Sequence, residues 1–167
     1  FSIEKIVDQN KRIKFLNGLK ISSQQAFLSK NKLKKNIHLS FGSIYDLKQR
    51  LKIFENLKKK KIYTFPTIVS STSYVSNNAK IKEGTIIMHD AFINFGVQIS
   101  SNVVINTKAL IEHDVVIGKN SHISTGVIIN GNVKIGKNCF IGSGSVIREN
   151  LIIPDNTFIK MGSVIKR

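Results

Sequence analysis

Residues 109–147 read ALIEHDVVIGKNSHISTGVIINGNVKIGKNCFIGSGSVI, and this stretch decides the fold. Counting by six in both directions from Ile111, every residue reached is Val or Ile. The series has seventeen members: Val69, Val75, Ile81, Ile87, Ile93, Ile99, Ile105, Ile111, Ile117, Ile123, Ile129, Ile135, Ile141, Ile147, Ile153, Ile159 and Ile165. A period of six fits neither the 3.6-residue period of a helix nor the alternation of an ordinary strand, so it indicates an internal structural repeat.

A second series, four residues after the first, consists almost entirely of small residues. Its members are Ser73, Ala79, Thr85, Ala91, Val97, Val103, Ala109, Val115, Ser121, Val127, Val133, Cys139, Ser145, Leu151, Thr157 and Ser163. A parallel β-helix with three flat faces accounts for both series, because each hexad then forms one face. The β-branched residue points inward and stacks on its equivalent eighteen residues later, and the small residue fits the corner.

Gly and Asn recur between the two series, where the chain has to turn. The examples are Gly118, Asn120, Gly136, Asn138, Gly142 and Gly144. These residues adopt turn conformations that other side chains resist. From Val69 to Arg167 the sequence therefore predicts about five and a half coils.

The front of the chain has a different pattern, which predicts alternating strands and helices. We predict strands over 3–8, 36–42 and 62–65, and a helix from Ser22 to about Lys32. A second helix follows Ser43, with Asp46 in a capping-box position and with Ile44, Leu47, Leu51 and Phe54 on one face. Such an alternation is part of a doubly wound, nucleotide-binding arrangement. We therefore divide the chain into an α/β subdomain, 1–67, and a β-helix domain, 68–167.

Composition excludes several protein classes. Of the 167 residues 41% are hydrophobic and 22% charged, two are Pro and one is Cys, which excludes disordered, collagen-like and disulfide-scaffold chains. No run of eighteen apolar residues occurs, and the first residues lack the order of a signal peptide. We expect a cytoplasmic protein without a membrane span.

Basic residues dominate the charge, and they are concentrated in the front. The chain has 26 Lys and Arg against 10 Asp and Glu, a net charge of +16, of which residues 1–67 contribute +12. A field of this sign favours phosphate-bearing partners, either nucleic acid or a nucleotide ligand. No aromatic or Arg residues interleave the run Lys58-Lys59-Lys60-Lys61, so a solvated lysine face is favoured over nucleic-acid binding.

The clearest departure from the repeat is Glu112-His113-Asp114, and His122 follows nine residues later. His113 lies two residues after inward-facing Ile111, so we expect it near a turn at the outer edge. Histidine exchanges protons near neutral pH, and a neighbouring carboxylate fixes its tautomer, so the pair can act as a general base. The alternative is a surface His beside a surface Asp. Cys139 occupies a small-residue corner position, which indicates packing rather than a nucleophile.

The strings Ile105-Asn106-Thr107, Ile111-Glu112-His113-Asp114, Ser121-His122-Ile123, Gly131-Asn132-Val133-Lys134-Ile135-Gly136 and Ile141-Gly142-Ser143-Gly144-Ser145-Val146 resemble a known family. It comprises the sialic acid O-acetyltransferases and UDP-4-amino-sugar N-acetyltransferases, which are hexapeptide-repeat acyltransferases. Ile6-Val7-Asp8 and Leu39-Ser40-Phe41-Gly42-Ser43 also resemble that family's front domain. The resemblance implies a left-handed β-helix, after a small Rossmann-like subdomain that is incomplete because the family's opening strand and glycine-rich loop are absent.

The resemblance also implies an activity and roles for individual residues. It implies a homotrimer with acetyl-CoA between neighbouring subunits, which acetylates an amino sugar nucleotide or, alternatively, a sialic acid hydroxyl in surface-glycan biosynthesis. His113 would be the base and Asp114 its partner, and a backbone N–H would stabilise the oxyanion. The residues implied to bind coenzyme are His122, Gly131, Ser143 and Met161, and those implied to bind the sugar substrate are Asp8, Gln9, Gly42 and Asn106.

Three other functions remain as alternatives. A γ-type carbonic anhydrase uses the same solenoid with three zinc-bound His, but two of these lie five residues apart, whereas His113 and His122 are nine apart and His89 is a weak third ligand. We expect no metal. A non-catalytic solenoid would need the hexads for its fold, but it would not need the string Glu112-His113-Asp114. Nucleic-acid binding would depend on the basic front alone.

Overall fold

The structure is a computed structural model that describes residues 3–8, 14–16, 18–23, 26–27, 35–40 and 47–167. The chain forms two compact units, residues 1–34 and residues 35–167.

The first unit contains a small mixed sheet. Strands β1 (Ile6–Val7), β2 (Phe15–Leu16) and β3 (Leu19–Ser22) lie in the order β1-β3-β2, with β1 parallel and β2 antiparallel to β3. Gly18 adopts a left-handed φ of 77° between β2 and β3. The strand at residues 3–8 was predicted, whereas the β2–β3 hairpin was not. The predicted helix from Ser22 to about Lys32 starts too early, because Ser22 belongs to β3. Ala26 and Phe27 are helical as predicted, and most of the other residues of this range lie outside the described ones.

Residues 68–167 form a parallel β-helix of two-residue strands with three flat sheets, which we call faces 1, 2 and 3. Face 1 consists of β6 (Ile68–Val69), β9 (Ile86–Ile87), β12 (Val104–Ile105), β15 (His122–Ile123), β18 (Phe140–Ile141) and β21 (Phe158–Ile159). Face 2 consists of β7 (Tyr74–Val75), β10 (Phe92–Ile93), β13 (Leu110–Ile111), β16 (Ile128–Ile129), β19 (Val146–Ile147) and β22 (Val164–Ile165). Face 3 consists of β8 (Lys80–Ile81), β11 (Gln98–Ile99), β14 (Val116–Ile117), β17 (Lys134–Ile135) and β20 (Ile152–Ile153).

Each strand pairs in parallel with the strand eighteen residues away, as Leu110 with Ile128 and Ile111 with Ile129. Seventeen strands at three to a coil give between five and six coils, so the predicted fold and its coil number are confirmed. We name the corners by the faces they join. In one coil corner 1/2 is residues 106–109, corner 2/3 is 112–115 and corner 3/1 is 118–121, and each recurs every eighteen residues.

The core of the β-helix contains the two predicted series. The Val/Ile residues from Ile87 to Ile159 and the corner residues from Ala91 to Cys139 are buried, and the few polar corner residues are bonded to the next coil. The Ser121 hydroxyl, for example, donates to the Gly136 carbonyl at 2.8 Å and accepts from the Cys139 N–H at 3.1 Å. Small polar residues are therefore tolerated at the corners because the neighbouring coil satisfies them.

Fourteen successive corners, from Gly84 to Gly162, contain a residue of left-handed φ at six-residue spacing. The occupants are Gly, Asn, Asp or Lys, which largely fits the tolerance of Gly, Asn and Asp for this conformation. Asn120, Asn138 and Gly144 have the predicted role. Gly118, Gly136 and Gly142 do not have left-handed φ, and the prediction for them is wrong. Their role is steric, because a Cβ on Gly118 would lie 2.4 Å from the backbone of Gly136 in the next coil.

A helix docks on corner 3/1 of the β-helix. Helix α1 (Leu47–Lys58) buries Leu47, Arg50, Phe54 and Leu57. Burial of Leu47 and Phe54 confirms two residues of the predicted apolar face. Burial of Arg50 was not predicted. Ser43, Ile44 and Asp46 lie outside the described residues. Strand β4 (Lys35–Asn36) pairs in parallel with β5 (Tyr63–Thr64), so these strands are shorter than the predicted 36–42 and 62–65.

Arg50 is 2% exposed, and its guanidinium donates to the Asn102 carbonyl at 2.9 Å. The Asn120 amide donates to the Leu47 carbonyl and to Asn138 Oδ1, each at 2.9 Å, and accepts from the Asn102 amide at 2.8 Å. Ion pairs between Lys119 and Glu55 and between Lys58 and Glu83 lie beside these bonds. Residues 35–67 therefore pack with the β-helix as one compact unit, whereas the division into functional domains 1–67 and 68–167 stays a prediction.

Candidate active site

His113 and Asp114 lie in corner 2/3, in the turn between β13 and β14. Asp114 occupies the left-handed position of its corner, with φ of 59°, so an Asp there is favourable for the backbone alone. Its Oδ2 nevertheless lies 3.0 Å from His113 Nδ1. This contact fixes the ring tautomer, because a carboxylate accepts the Nδ1–H and leaves Nε2 as the proton acceptor. The side chains are 59% and 58% exposed in the isolated chain.

Two glycines, one in each neighbouring coil, make room for the pair. A Cβ on Gly96, eighteen residues before Asp114, would lie 2.4 Å from Asp114 Oδ1. A Cβ on Gly131, eighteen residues after His113, would lie 2.6 Å from both Cε1 and Nε2 of the imidazole. The ring edge that carries Nε2 therefore faces the surface above Gly131, where a reacting group can approach it.

A shallow groove extends from His113 along corner 2/3. Its lining residues are Glu112, His113, Asn130, Gly131, Asn132, Glu149 and Asn150. Glu112 Oε2 accepts a hydrogen bond from the Asn94 amide at 2.7 Å, and the Asn130 amide donates to the Ile147 carbonyl at 2.8 Å. The side chains at the rim are thus held by bonds to adjacent coils, which gives the site a rigid wall.

The structure separates the other predicted site residues. Gly131 lies with His113, whereas Ser143, Met161 and Asn106 lie at corner 1/2 and His122 lies on face 1. The Gly162 N–H, next to Met161, donates to the Ser143 carbonyl at 2.8 Å. Asp8 is exposed in the first compact unit, and Gln9 and Gly42 lie outside the described residues. The described β-helix residues of the predicted site thus lie in three places, and the roles of all the predicted residues stay predictions.

His122 is the predicted coenzyme residue with the most unusual environment. Its ring packs on Phe140 with 5.3 Å between ring centroids, and Phe140 stacks on Phe158 at 5.0 Å. Burial, and secondarily the charge of Arg50, lower the pKa of His122 to about 4. His122 is therefore neutral at physiological pH.

This shift predicts a loss of stability in acid. Because His122 titrates at about 4 when folded and at about 6.5 when unfolded, the unfolded chain binds more protons between these values. The free energy of unfolding then falls as pH drops below about 6.5, by about 1–2 kcal/mol at pH 5 from this group. We expect the melting temperature of His122→Gln to change less between pH 7.5 and pH 5 than that of the wild type.

The exposed His89 at corner 1/2 provides the control. His89→Gln should show the same drop in melting temperature as the wild type. Equal drops in all three proteins would contradict the assigned environment of His122.

Cys139, the one cysteine of the chain, does not line the groove. Cys139 is buried, and burial raises the pKa of its thiol, which fits the packing role predicted for it. Within the described ranges no three His, Cys, Asp or Glu side chains are grouped to hold a metal ion. None of the helices described is long and apolar enough to cross a membrane.

Glu149 and the three asparagines of the groove were not predicted from the sequence, and Gly131 was predicted to bind coenzyme rather than to lie against His113. The available signal was the eighteen-residue period itself. Counting from His113 by one and two coils gives Gly131 and Glu149, which share one column of corner 2/3.

Comparisons with known proteins agree with this architecture. The model of the family described as "Bacterial transferase hexapeptide (six repeats)" matches residues 132–167, and that of "Hexapeptide repeat of succinyl-transferase" matches residues 109–133. No curated protein matches the sequence significantly.

Several solved structures are similar over nearly the whole chain. The acetyltransferase domain of PglB from Neisseria gonorrhoeae FA1090 superimposes with a TM-score of 0.87 at 26% identity, over 98% of this chain and 79% of that one. WeeI from Acinetobacter baumannii AYE has a TM-score of 0.77 at 22% identity, over 98% and 77% of the two chains. A mutant of GDP-perosamine N-acetyl transferase from Caulobacter crescentus, in complex with CoA and GDP-perosamine, has a TM-score of 0.69 at 18% identity, over 93% and 80%.

The PglB domain has also been solved in complex with acetyl coenzyme A, and that structure is 24% identical to this chain. WeeI, the perosamine enzyme and the coenzyme complex are 24% identical or less, and they show only that the fold is shared. The PglB domain at 26% identity and the two family models are stronger evidence of relationship. The repeat models match parts of residues 109–167, and the similarity to the PglB acetyltransferase domain covers 98% of this chain.

Proposed function

We propose that this protein is an acetyl-CoA-dependent acetyltransferase that N-acetylates an amino sugar nucleotide. The observation that carries the proposal is the His113–Asp114 pair, with 3.0 Å between Nδ1 and Oδ2 and with the Nε2 edge of the ring over Gly131. The similar structures support the substrates: the PglB domain is described with acetyl coenzyme A, and the Caulobacter enzyme with CoA and GDP-perosamine. We place the protein in the cytoplasm and its reaction in the synthesis of surface glycans.

The geometry of the pair suits direct transfer. His113 Nε2 accepts a proton from the acceptor amine as the nitrogen attacks the thioester carbonyl, and Asp114 stabilises the imidazolium that forms. The C–N bond forms, the C–S bond breaks, and the thiolate of CoA takes up a proton. No covalent enzyme intermediate is required, which agrees with the burial of Cys139.

We propose a homotrimer as the active form, because two of the three outer faces are apolar. The outward residues of face 1 are Ile68, Ile86, Val104, His122, Phe140 and Phe158, and those of face 2 are Tyr74, Phe92, Leu110, Ile128, Val146 and Val164. Val164 is 60% exposed and Tyr74 54%. Face 3 instead presents Lys80, Gln98, Val116, Lys134 and Ile152. Phe140 of face 1 is already buried in the single chain, whereas Phe158 of that face and Tyr74, Phe92 and Val164 of face 2 are exposed. Exposed apolar surface of this kind indicates an interface.

A head-to-tail contact between face 2 of one subunit and face 1 of the next forms a closed ring around a three-fold axis. His113, at the edge of face 2, would then lie opposite the face of the neighbour that carries His122. Such an arrangement accounts for the separation of the predicted coenzyme residues within one chain. We propose that acetyl-CoA binds between the subunits to His122, Gly131, Ser143 and Met161, and that Asp8, Gln9, Gly42 and Asn106 bind the sugar nucleotide.

A charge placed in the middle of face 2 should dissociate the trimer. Ile128→Glu puts a carboxylate on the outer side of β16, where it does not disturb the buried Ile129. We expect light scattering to give a trimer mass for the wild type and a monomer mass for Ile128→Glu. Lys134→Glu, on face 3, should remain trimeric, and an unchanged mass for Ile128→Glu would exclude face 2 as the interface.

The function itself is tested by thiol release from acetyl-CoA. The acceptors are UDP-linked 4-amino sugars, CMP-sialic acid and free sialic acid. Release that requires an amine acceptor supports N-acetylation, and release that requires sialic acid supports the alternative O-acetylation. No release with any acceptor, and no binding of acetyl-CoA, would favour a non-catalytic solenoid.

A further inference from the structure

Glu149 lies two coils from His113 in the same column of corner 2/3. The Asn132 N–H donates to the His113 carbonyl at 2.9 Å, and the Asn150 N–H donates to the Gly131 carbonyl at 3.0 Å, so the turns are stacked in register. Adjacent coils are separated by the spacing of parallel strands, about 4.8 Å. The backbone at Glu149 is therefore about 10 Å from that at His113, with one coil between them.

The coil between them has no side chain at the corresponding position, because its residue is Gly131. The Nε2 edge of the imidazole faces that position, and Glu149 lines the same groove on the far side. The edge of the imidazole itself lies over Gly131, so a small group that contacts Nε2 lies in the groove between the ring and Glu149.

The charge of the groove is opposite to that of the chain as a whole. The chain has a net charge of +16, yet Glu112 and Glu149 are the charged residues among the groove's described lining, and no Lys or Arg belongs to it. A hydrogen bond from its own backbone N–H, and then one from Arg148, lower the pKa of the Glu149 carboxyl, so it is ionised at neutral pH. Arg148 Nε lies 3.3 Å from Glu149 Oε1, but both side chains are more than half exposed, so this ion pair is weak and exchangeable.

We propose that Glu149 binds the ammonium group of the acceptor in the groove beside His113 Nε2 and so selects amines over hydroxyls. This inference rests on the proposed acetyltransferase function and specifies its acceptor. A primary sugar amine is largely protonated at neutral pH, and a carboxylate beside the base attracts that form, whereas a hydroxyl acceptor gains nothing from the charge.

The chemistry balances with the groups present. The bound ammonium first releases one proton to solvent, and His113 Nε2 accepts the second as the neutral amine attacks the thioester carbonyl carbon. The C–N bond forms, the C–S bond breaks, and the nitrogen loses a second proton as the amide forms. Of the two protons lost by the ammonium, one ends on the CoA thiol and one is released to solvent.

The test compares wild type and Glu149→Gln with a UDP-linked 4-amino sugar and with its 4-hydroxy counterpart as acceptors. We expect kcat/KM for the amine to fall about three- to tenfold, through a higher KM at nearly constant kcat, as for an exposed charge pair. Activity with the hydroxyl acceptor should not change. The KM for the amine should depend less on salt in the variant than in the wild type, because a charge interaction has been removed.

Two further variants separate this effect from a general change of charge. Glu83→Gln removes a partly exposed carboxylate that pairs with Lys58 beside helix α1, and it should leave the KM for the amine unchanged. Arg148→Gln removes the competing partner of Glu149 and should lower that KM. If Glu149→Gln behaves like Glu83→Gln in an active enzyme, the role of Glu149 is excluded while the acetyltransferase function stands. If the wild type acetylates no acceptor, the proposed function itself fails.

Discussion

His113→Ala is expected to lower the turnover of acetyl transfer by about 10²–10⁴ and to leave the affinity for acetyl-CoA nearly unchanged. The variant removes the proposed general base, whereas the neighbouring strands β13 and β14 keep their buried Ile111 and Ile117. Because the imidazole is largely exposed in the single chain, its loss should not change the melting temperature. A fall in kcat without a fall in stability is the result expected of a general base.

The measurement is acceptor-dependent thiol release by wild type, His113→Ala and His89→Ala, with acetyl-CoA affinity determined by calorimetry. His89 is also exposed but lies at corner 1/2, so its variant controls for the loss of a surface imidazole. Turnover of His113→Ala equal to that of the wild type would remove His113 from the mechanism.

Gly131→Ala is the second change for which we expect a large effect, about tenfold to a hundredfold on kcat. The added methyl group would lie 2.6 Å from Cε1 and Nε2 of His113, closer than van der Waals contact allows, so the ring must move. A displacement of about 1 Å of a catalytic group is enough for a loss of this size. The obstructed group is an exposed side chain rather than backbone, so the fold should accommodate the substitution.

Gly118→Ala provides the contrast for this prediction. Its new Cβ would lie 2.4 Å from the backbone of Gly136, which cannot move without separating two coils, so its melting temperature should fall. Gly131→Ala should instead retain the melting temperature of the wild type and lose activity. Full activity in Gly131→Ala would show that the position of the imidazole above Gly131 is not the reactive one.

The β-helix could be predicted almost completely because one physical requirement recurs in every hexad. A coil stacked on its neighbours needs an inward β-branched residue and a small corner residue, and both series are visible without any structure. The glycines were harder to interpret. Left-handed φ and close backbone approach both favour Gly. The residue type therefore did not distinguish Gly144, which has left-handed φ, from Gly118, which makes room for Gly136.

Helix α1 shows the limit of a polarity pattern. Leu51 was assigned to its apolar face, but Arg50 is the residue that is buried. A charged residue is placed inside only when fixed carbonyls receive it, and the carbonyl of Asn102 lies 52 positions away in the sequence. No local pattern reports such a long-range acceptor.

The site was predictable in part. The adjacency of His113 and Asp114 gave their contact, and the repeat could have given Gly96, Gly131 and Glu149 by steps of eighteen residues from Asp114 and His113. The positions of Ser143 and Met161 at another corner follow from the same count. A count within one chain does not supply the residues that a neighbouring subunit of the proposed trimer would add to the groove.

The pairing of each β-helix strand with the one eighteen residues away also restricts how this protein can change in length. An insertion of one residue would turn the inward side chains of its strand outward, whereas an insertion of eighteen adds a coil of about 4.8 Å and leaves all others in register. The length along the axis therefore changes only in steps of one coil, about 4.8 Å, and so does the distance from His113 to either end of the solenoid.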